Sequence, residues 1–196
     1  MVYNPAKRRV FMEVKGSSVI PTVVFVKQRF GNRFTEWLNE LPEESRRILE
    51  KEIVLSQWYP LKEAYLEPTI SICRVFYDGS IRGAWEVGRF SADYGLKDVY
   101  KFFLRFSSPN FLVKRASIIL PTCFKPSKIE IVENLEGKAK MHITYFPEIH
   151  EIIEHRIGGW MERAIELCGV KEGRVTITRS LARGESVTEF TVEWKI

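Results

Sequence analysis

The chain has 196 residues, enough for one large domain or two small ones. Hydrophobic residues make up 45% and aromatics 13%, so a substantial core can be buried. The net charge of +5 is mild; it suits weak attraction to anions but does not point to nucleic-acid binding.

Nothing reads as a membrane span, because no run of about 18 apolar residues occurs. Met1–Val14 is basic but lacks the apolar run and small-residue cleavage site of a secretory signal. Lys7-Arg8-Arg9 is the one basic cluster, and it reads as part of a solvated tail over residues 1–9. Cys73, Cys123 and Cys168 are far apart and form no CxxC, so a reducing, cytoplasmic setting is expected. Each sits in apolar sequence, where cysteine behaves as a small hydrophobe.

In chain order, Val10–Val14 suits a short strand. Ser17 or Ser18 can cap a helix with Val19, Val23, Val26 and Phe30 at helical spacing, Pro21 in its first turn and Gly31 at its end. Asn32 can cap a second helix whose face is Phe34, Trp37, Leu38 and Leu41. Glu43 and Glu44 open a third, placing negative charge at the positive end of the helix dipole. Pro60 reads as a helix start, with Pro68 kinking or ending that helix. Asp78-Gly79-Ser80 marks a turn. Apolar helical spacing then runs through Ile81, Ala84, Trp85, Gly88, Leu96, Val99, Tyr100 and Phe103. Ser108-Pro109 looks like an N-cap and first-turn pair for a helix reaching Pro121.

From Lys128 the period changes to two. Ile129 and Ile131 alternate with Lys128 and Glu130; Ala139, Met141, Ile143 and Tyr145 alternate with polar residues across a Glu136-Gly137 turn. A helix over 148–168 follows, with Ile149, Ile152, Ile153, Ile157, Trp160, Met161, Ala164, Ile165 and Cys168 on one wide stripe. Glu148, Glu151, Glu154, Glu162 and Glu166 read as its solvated side. Gly169 ends it. Val175 and Ile177, then Phe190, Val192, Trp194 and Ile196, alternate as two more strands around an Ala182–Glu185 loop. The predicted class is α+β: a helical N-terminal half (10–125) packed on an antiparallel four-stranded sheet with one helix (126–196), in the order strand–strand–helix–strand–strand.

Gly158 and Gly159 stand inside that helix, where each costs about 1 kcal/mol relative to alanine. They fall off the centre of the apolar stripe, which suits either a close neighbour there or a tolerated local defect. That neighbour could be the helical half, a second subunit or a ligand.

Catalytic and metal-binding patterns are absent from the sequence. The three histidines are His142, His150 and His155. His150 and His155 lie about 140° apart on a helix and cannot chelate from one face. His150 falls on the apolar stripe, as a core or rim histidine or a ligand contact. No GxSxG, HExxH, P-loop or GxGxxG occurs. An enzyme is therefore not expected, and no catalytic residue, metal ligand or cofactor is assigned. Aromatics crowd residues 58–106. They can be ordinary core or can line an apolar pocket. The pocket candidates are Trp58, Tyr59, Tyr65, Trp85, Phe103 and His150.

This order of elements resembles the superfamily that includes H-NOX gas sensors, 4-vinyl reductase domains and TRAPP vesicle-tethering subunits. Val14-Lys15-Gly16, an apolar helix and Gly31 look like H-NOX. Phe146-Pro147, Ile157-Gly158-Gly159-Trp160, Leu167-Cys168-Gly169 and a last strand ending in Trp194 look like 4-vinyl reductase and related haem-less myxobacterial proteins, and Trp58-Tyr59-Pro60 resembles the myxobacterial group. H-NOX domains hold haem through a mid-chain histidine and YxSxR. This chain has no histidine before position 142 and no YxSxR, so haem is not carried over. The resemblance implies a pocket for a small hydrophobic or lipid-like ligand between the halves, or a dimerising scaffold, with a homodimer and an unidentified protein partner expected. A cavity no larger than about 300 Å³ would favour the fully packed scaffold.

Overall fold

The computed structural model describes residues 11–96 and 108–195. The basic tail and Phe103, with Val99 and Tyr100, lie outside the described residues, as does Ile196.

The first strand is β1 (Glu13–Lys15), with α1 (Gly16–Arg29) directly behind it. This helix starts earlier than serine capping implies: Lys15 is the N-cap and its side chain makes no capping hydrogen bond. Pro21 consequently sits in the second turn. Next come α2 (Phe34–Asn39) and α3 (Glu43–Leu49), the latter opened by Glu43 and Glu44. Trp37 of α2 is fully buried and its indole N–H donates to the Pro68 carbonyl at 3.3 Å.

Trp58-Tyr59-Pro60 forms β2 (Trp58–Pro60), paired antiparallel to β1, and helical backbone begins directly after Pro60, at Leu61. A single π-helical turn, Lys62–Leu66, leads into α4 (Glu67–Phe76). Helical backbone thus runs from Leu61 to Phe76, and Pro68 lies within it directly after the π turn without ending it. Lacking an N–H, proline cannot continue an unperturbed α-helical ladder, and the π turn stands directly before it. Asp78 and Gly79 take positive φ in the expected turn, and α5 (Arg82–Gly95) follows.

Ser108 caps α6 (Pro109–Lys114), its side chain accepting the Phe111 N–H. The single helix expected up to Pro121 is two, because α7 (Ala116–Cys123) restarts after Arg115. β3 (Phe124–Lys125) completes a three-stranded sheet of order β2-β1-β3.

The second sheet is fully antiparallel, in the order β4 (Lys128–Leu135), β5 (Lys138–Tyr145), β7 (Thr188–Lys195), β6 (Glu172–Arg179). Its inner face is Ile129, Ala139, Met141, Ile143, Val175, Phe190 and Val192, all buried. Between the hairpins runs α8 (Glu151–Leu167), terminated by Gly169 at φ 87°. One hydrophobic cluster joins both halves, from Val14, Val26 and Leu61 to Ile153, Ile157 and Phe190. Each fully buried Val, Ile or Phe there contributes about 1.5–3 kcal/mol.

Candidate functional site

The halves meet where α5 crosses α8. A Cβ on Gly159 would stand 2.2 Å from the Trp85 carbonyl oxygen, and one on Gly158 would stand 2.6 Å from the Trp85 ring. The neighbour beside the glycine pair is therefore the helical half of the same chain. Beside this crossing, Trp85 Nε1 donates to Glu162 at 2.9 Å. Arg89 bridges Glu162 and Glu166 at 2.7 and 2.8 Å. Arg163 bonds Glu166 and Asp93 at 2.8 and 3.0 Å. Burial opposes ionisation of Glu166, but the bonds from Arg89 and Arg163 outweigh it and hold the carboxyl below its ordinary value.

Next to the crossing is a cavity of about 280 Å³. Its wall combines the start of α1 (Ser17, Ser18, Pro21), α5 (Gly88, Ser91), α6 and α7 (Val113, Leu120, Cys123), the sheet (Ile129, Met141, Val192) and α8 (Arg156, Trp160, Met161). Most of this wall is apolar. A wider groove of about 380 Å³ lies between α1 and the end of α3, lined by Val23, Lys27 and Leu49 among others. The fully buried charged groups Glu154 and Arg156 are absent from its wall.

Arg156 is the cavity's unusual group. It is 1% exposed. Nη1 donates to Thr69 Oγ1 at 2.7 Å; Nη2 donates to Thr22 Oγ1 at 2.7 Å and to the Ser18 carbonyl at 3.2 Å. The guanidinium lies 3.6 Å from the centroid of the Tyr65 ring. Nε is buried and bonds to nothing among the described residues. No described carboxylate pairs with this cation, and burial lowers its pKa. Burial also pushes the Tyr65 hydroxyl up to about 12.

Glu154, two residues away, is also buried, contrary to its expected place on the solvated side. Its carboxylate is consumed elsewhere: Ser180 Oγ donates to it at 2.6 Å, the Ala182 N–H at 3.3 Å, and Thr188 Oγ1 also donates. It pins the loop between β6 and β7.

Of the expected pocket residues, only Tyr65 lies on the cavity wall among the described residues. Trp58 sits under the Lys15 and Lys125 ammonium groups. The Tyr59 hydroxyl accepts the Val54 N–H at 2.9 Å. Trp85 packs on the glycine pair. His150 is exposed and caps α8, its Nδ1 accepting the Ile152 N–H at 3.1 Å. It left the apolar stripe because the helix begins at Glu151 and not at 148. His142 bonds Glu189 at 2.6 Å and His155 the Glu151 carbonyl at 2.8 Å. No described histidine lines the cavity, although Cys123, Met141 and Met161 do. Among the described residues no group of three or more His, Cys, Asp or Glu is arranged to hold a metal. No described helix is long and apolar enough to cross a membrane.

Arg156 was missed in the sequence, yet it carried a signal. It lies four residues from both Ile152 and Trp160. That makes it a lone cation on the apolar stripe of α8.

No family model matches the sequence, and no curated protein does. The fold does match solved structures. An Fe(II) unliganded H-NOX protein from K. algicida gives a TM-score of 0.67 at 12% identity over 93% of this chain and 97% of that one. An H-NOX protein from S. oneidensis in the Fe(II)NO ligation state gives 0.67 at 14%, covering 93% and 99%. A mutant H-NOX from T. tengcongensis gives 0.64 at 11%, covering 93% and 98%. The chain thus has an H-NOX-like α+β fold. At these identities the likeness is one of backbone architecture.

Proposed function

We propose that this chain is a non-enzymatic sensory or binding domain that holds a small hydrophobic ligand, without haem, between its halves. The observation that carries the reading is the largely apolar cavity of about 280 Å³ walled by both halves. The H-NOX-like fold supports a sensory role, since its solved examples are described by iron and nitric-oxide ligation states. Two features speak against haem. No described histidine faces the cavity, and a tetrapyrrole is larger than the drug-sized ligands that already need about 300 Å³ or more. The finer likeness to 4-vinyl reductase, TRAPP and myxobacterial haem-less proteins belongs to this reading, as do a homodimer and a reducing, cytoplasmic setting suited to three free thiols.

Native mass spectrometry of the purified protein tests the proposal. Retained or added small apolar compounds should give a discrete bound species. Ala116 of α7 also lines the cavity, and the variant Ala116→Leu, which enlarges that side chain, should remove that species. A protein indifferent to every such compound overturns the reading. Haemin reconstitution should give no Soret band; a band would overturn the haem-free part.

A second reading is favoured by one observation. The volume falls just under the lower limit of ordinary ligand sites, as in a packed interaction scaffold. Ala116→Leu would then stabilise the fold with no binding to lose.

A further inference from the structure

We propose that the ligand of this cavity is a small anionic amphiphile, with a single negative headgroup paired to Arg156 and an apolar tail against the remaining wall. The proposal rests on the ligand-binding reading above and specifies its chemistry.

Arginine is rarely buried without a counter-ion, because removing its charge from water is costly unless an anion and a full set of acceptors replace the solvent. Arg156 is 1% exposed and has neither among the described residues. Its acceptors are two hydroxyls and one carbonyl, all neutral. Its one aromatic partner is the Tyr65 ring. The acid nearest in sequence, Glu154, is held by Ser180, Ala182 and Thr188. A purely structural role, stitching α8 to α1 and α4, accounts for Nη1 and Nη2. It leaves the charge and Nε without a purpose.

Arg156 also forms part of the cavity wall. A carboxylate or phosphate at that wall supplies both the missing charge and an acceptor for the unbonded Nε–H, as a charge-assisted hydrogen bond. The tail chemistry follows from Leu120, Ile129, Met141, Met161 and Val192, which offer it no polar side chain. A neutral ligand would leave the cation uncompensated, and a cationic one would be repelled by it.

Isothermal titration of the full chain near neutral pH with decanoate, decyl phosphate, decanol and decylamine tests this. At least one anion should bind about tenfold or more tighter than decanol, and decylamine should bind weakest. Comparing decanoate with decyl phosphate tells a carboxylate from a phosphate headgroup. Arg156→Met should abolish the anion preference while keeping decanol binding. Should that variant fail to fold, Arg156→Lys keeps the charge but loses the planar guanidinium and its Nε donor, and should bind the preferred anion more weakly than wild type in the same rank order. Equal affinity for decanol and the anions, or a preference that survives Arg156→Met, overturns the headgroup assignment and leaves the apolar cavity reading standing. No binding by any alkyl probe overturns both.

Discussion

A Cβ placed on Gly88 of α5 would lie 2.0 Å from the Arg156 carbonyl oxygen of α8. The two helices thus approach backbone to backbone, with Gly88 facing α8 and Gly159 facing the Trp85 carbonyl. Side chains at either place would force the helices apart. Gly88→Ala and Gly159→Ala should each cost about 3 kcal/mol or more, by overpacking against rigid backbone. Gly158→Ala should cost less, since it meets the movable Trp85 ring. Gly31→Ala, with nothing within 4 Å, should be neutral or slightly stabilising. Urea unfolding midpoints of the four variants decide this; equal small losses at all four positions would contradict the close-crossing account.

Below that crossing, acid should weaken the fold in a defined direction. Glu166 has a folded value below its ordinary 4.5, set by Arg89 and Arg163 against the opposing effect of burial. Such a carboxylate adds stability that is complete above its unfolded value and lost as pH falls through the folded one. Unfolding free energy should therefore decline between about pH 6 and pH 3. Glu166→Gln should cost about 1 kcal/mol near neutrality and show a shallower decline. Parallel pH profiles for variant and wild type would remove Glu166 from the explanation.

Arg156 should behave unlike an ordinary buried arginine in stability measurements. Where a paired charge is broken, the stranded partner makes the loss large. Here no described carboxylate would be stranded. Arg156→Met, which preserves the apolar stem, should change the unfolding free energy of the ligand-free protein by less than about 1 kcal/mol. Arg156→Ala should cost about 2 kcal/mol or more by opening a void. A Met variant as unstable as the Ala variant would mean that the bonds to Thr69 and Thr22 dominate.

The thiols should separate by reactivity. Burial pushes Cys168 up to about 11 and raises Cys73 as well, so neither supplies much thiolate near neutral pH. Cys123 is only half-buried and lies on the cavity wall. Mass-spectrometric footprinting with iodoacetamide should modify Cys123 first, and a cavity ligand such as decanoate should slow it. Modification of Cys73 or Cys168 ahead of Cys123 would contradict the described burial.

Much of the architecture was legible because it is written in local periodicity. The hairpin β4-β5, the helix stripe, the Gly169 stop and the β6-β7 pair each follow from side chains a few residues apart. Errors arose where a local signal has two readings. Proline in Trp58-Tyr59-Pro60 does two things, closing an edge strand paired with β1 and standing directly before the helix at Leu61, and only the helix start is written in local sequence. His150 looked like stripe only until the helix start was placed at Glu151.

The sequence by itself determined the α+β class and the chain order of the C-terminal strands and helix, and it singled out Gly158-Gly159 as a place for a close neighbour. Only the tertiary structure decided that the neighbour is Trp85, that Tyr65 alone of the described aromatic candidates reaches the cavity, and that Arg156 lies in its wall with no described carboxylate beside it. The reason is physical. Periodicity records which face of an element is buried, whereas a cavity and an unpaired charge depend on what distant segments place opposite that face.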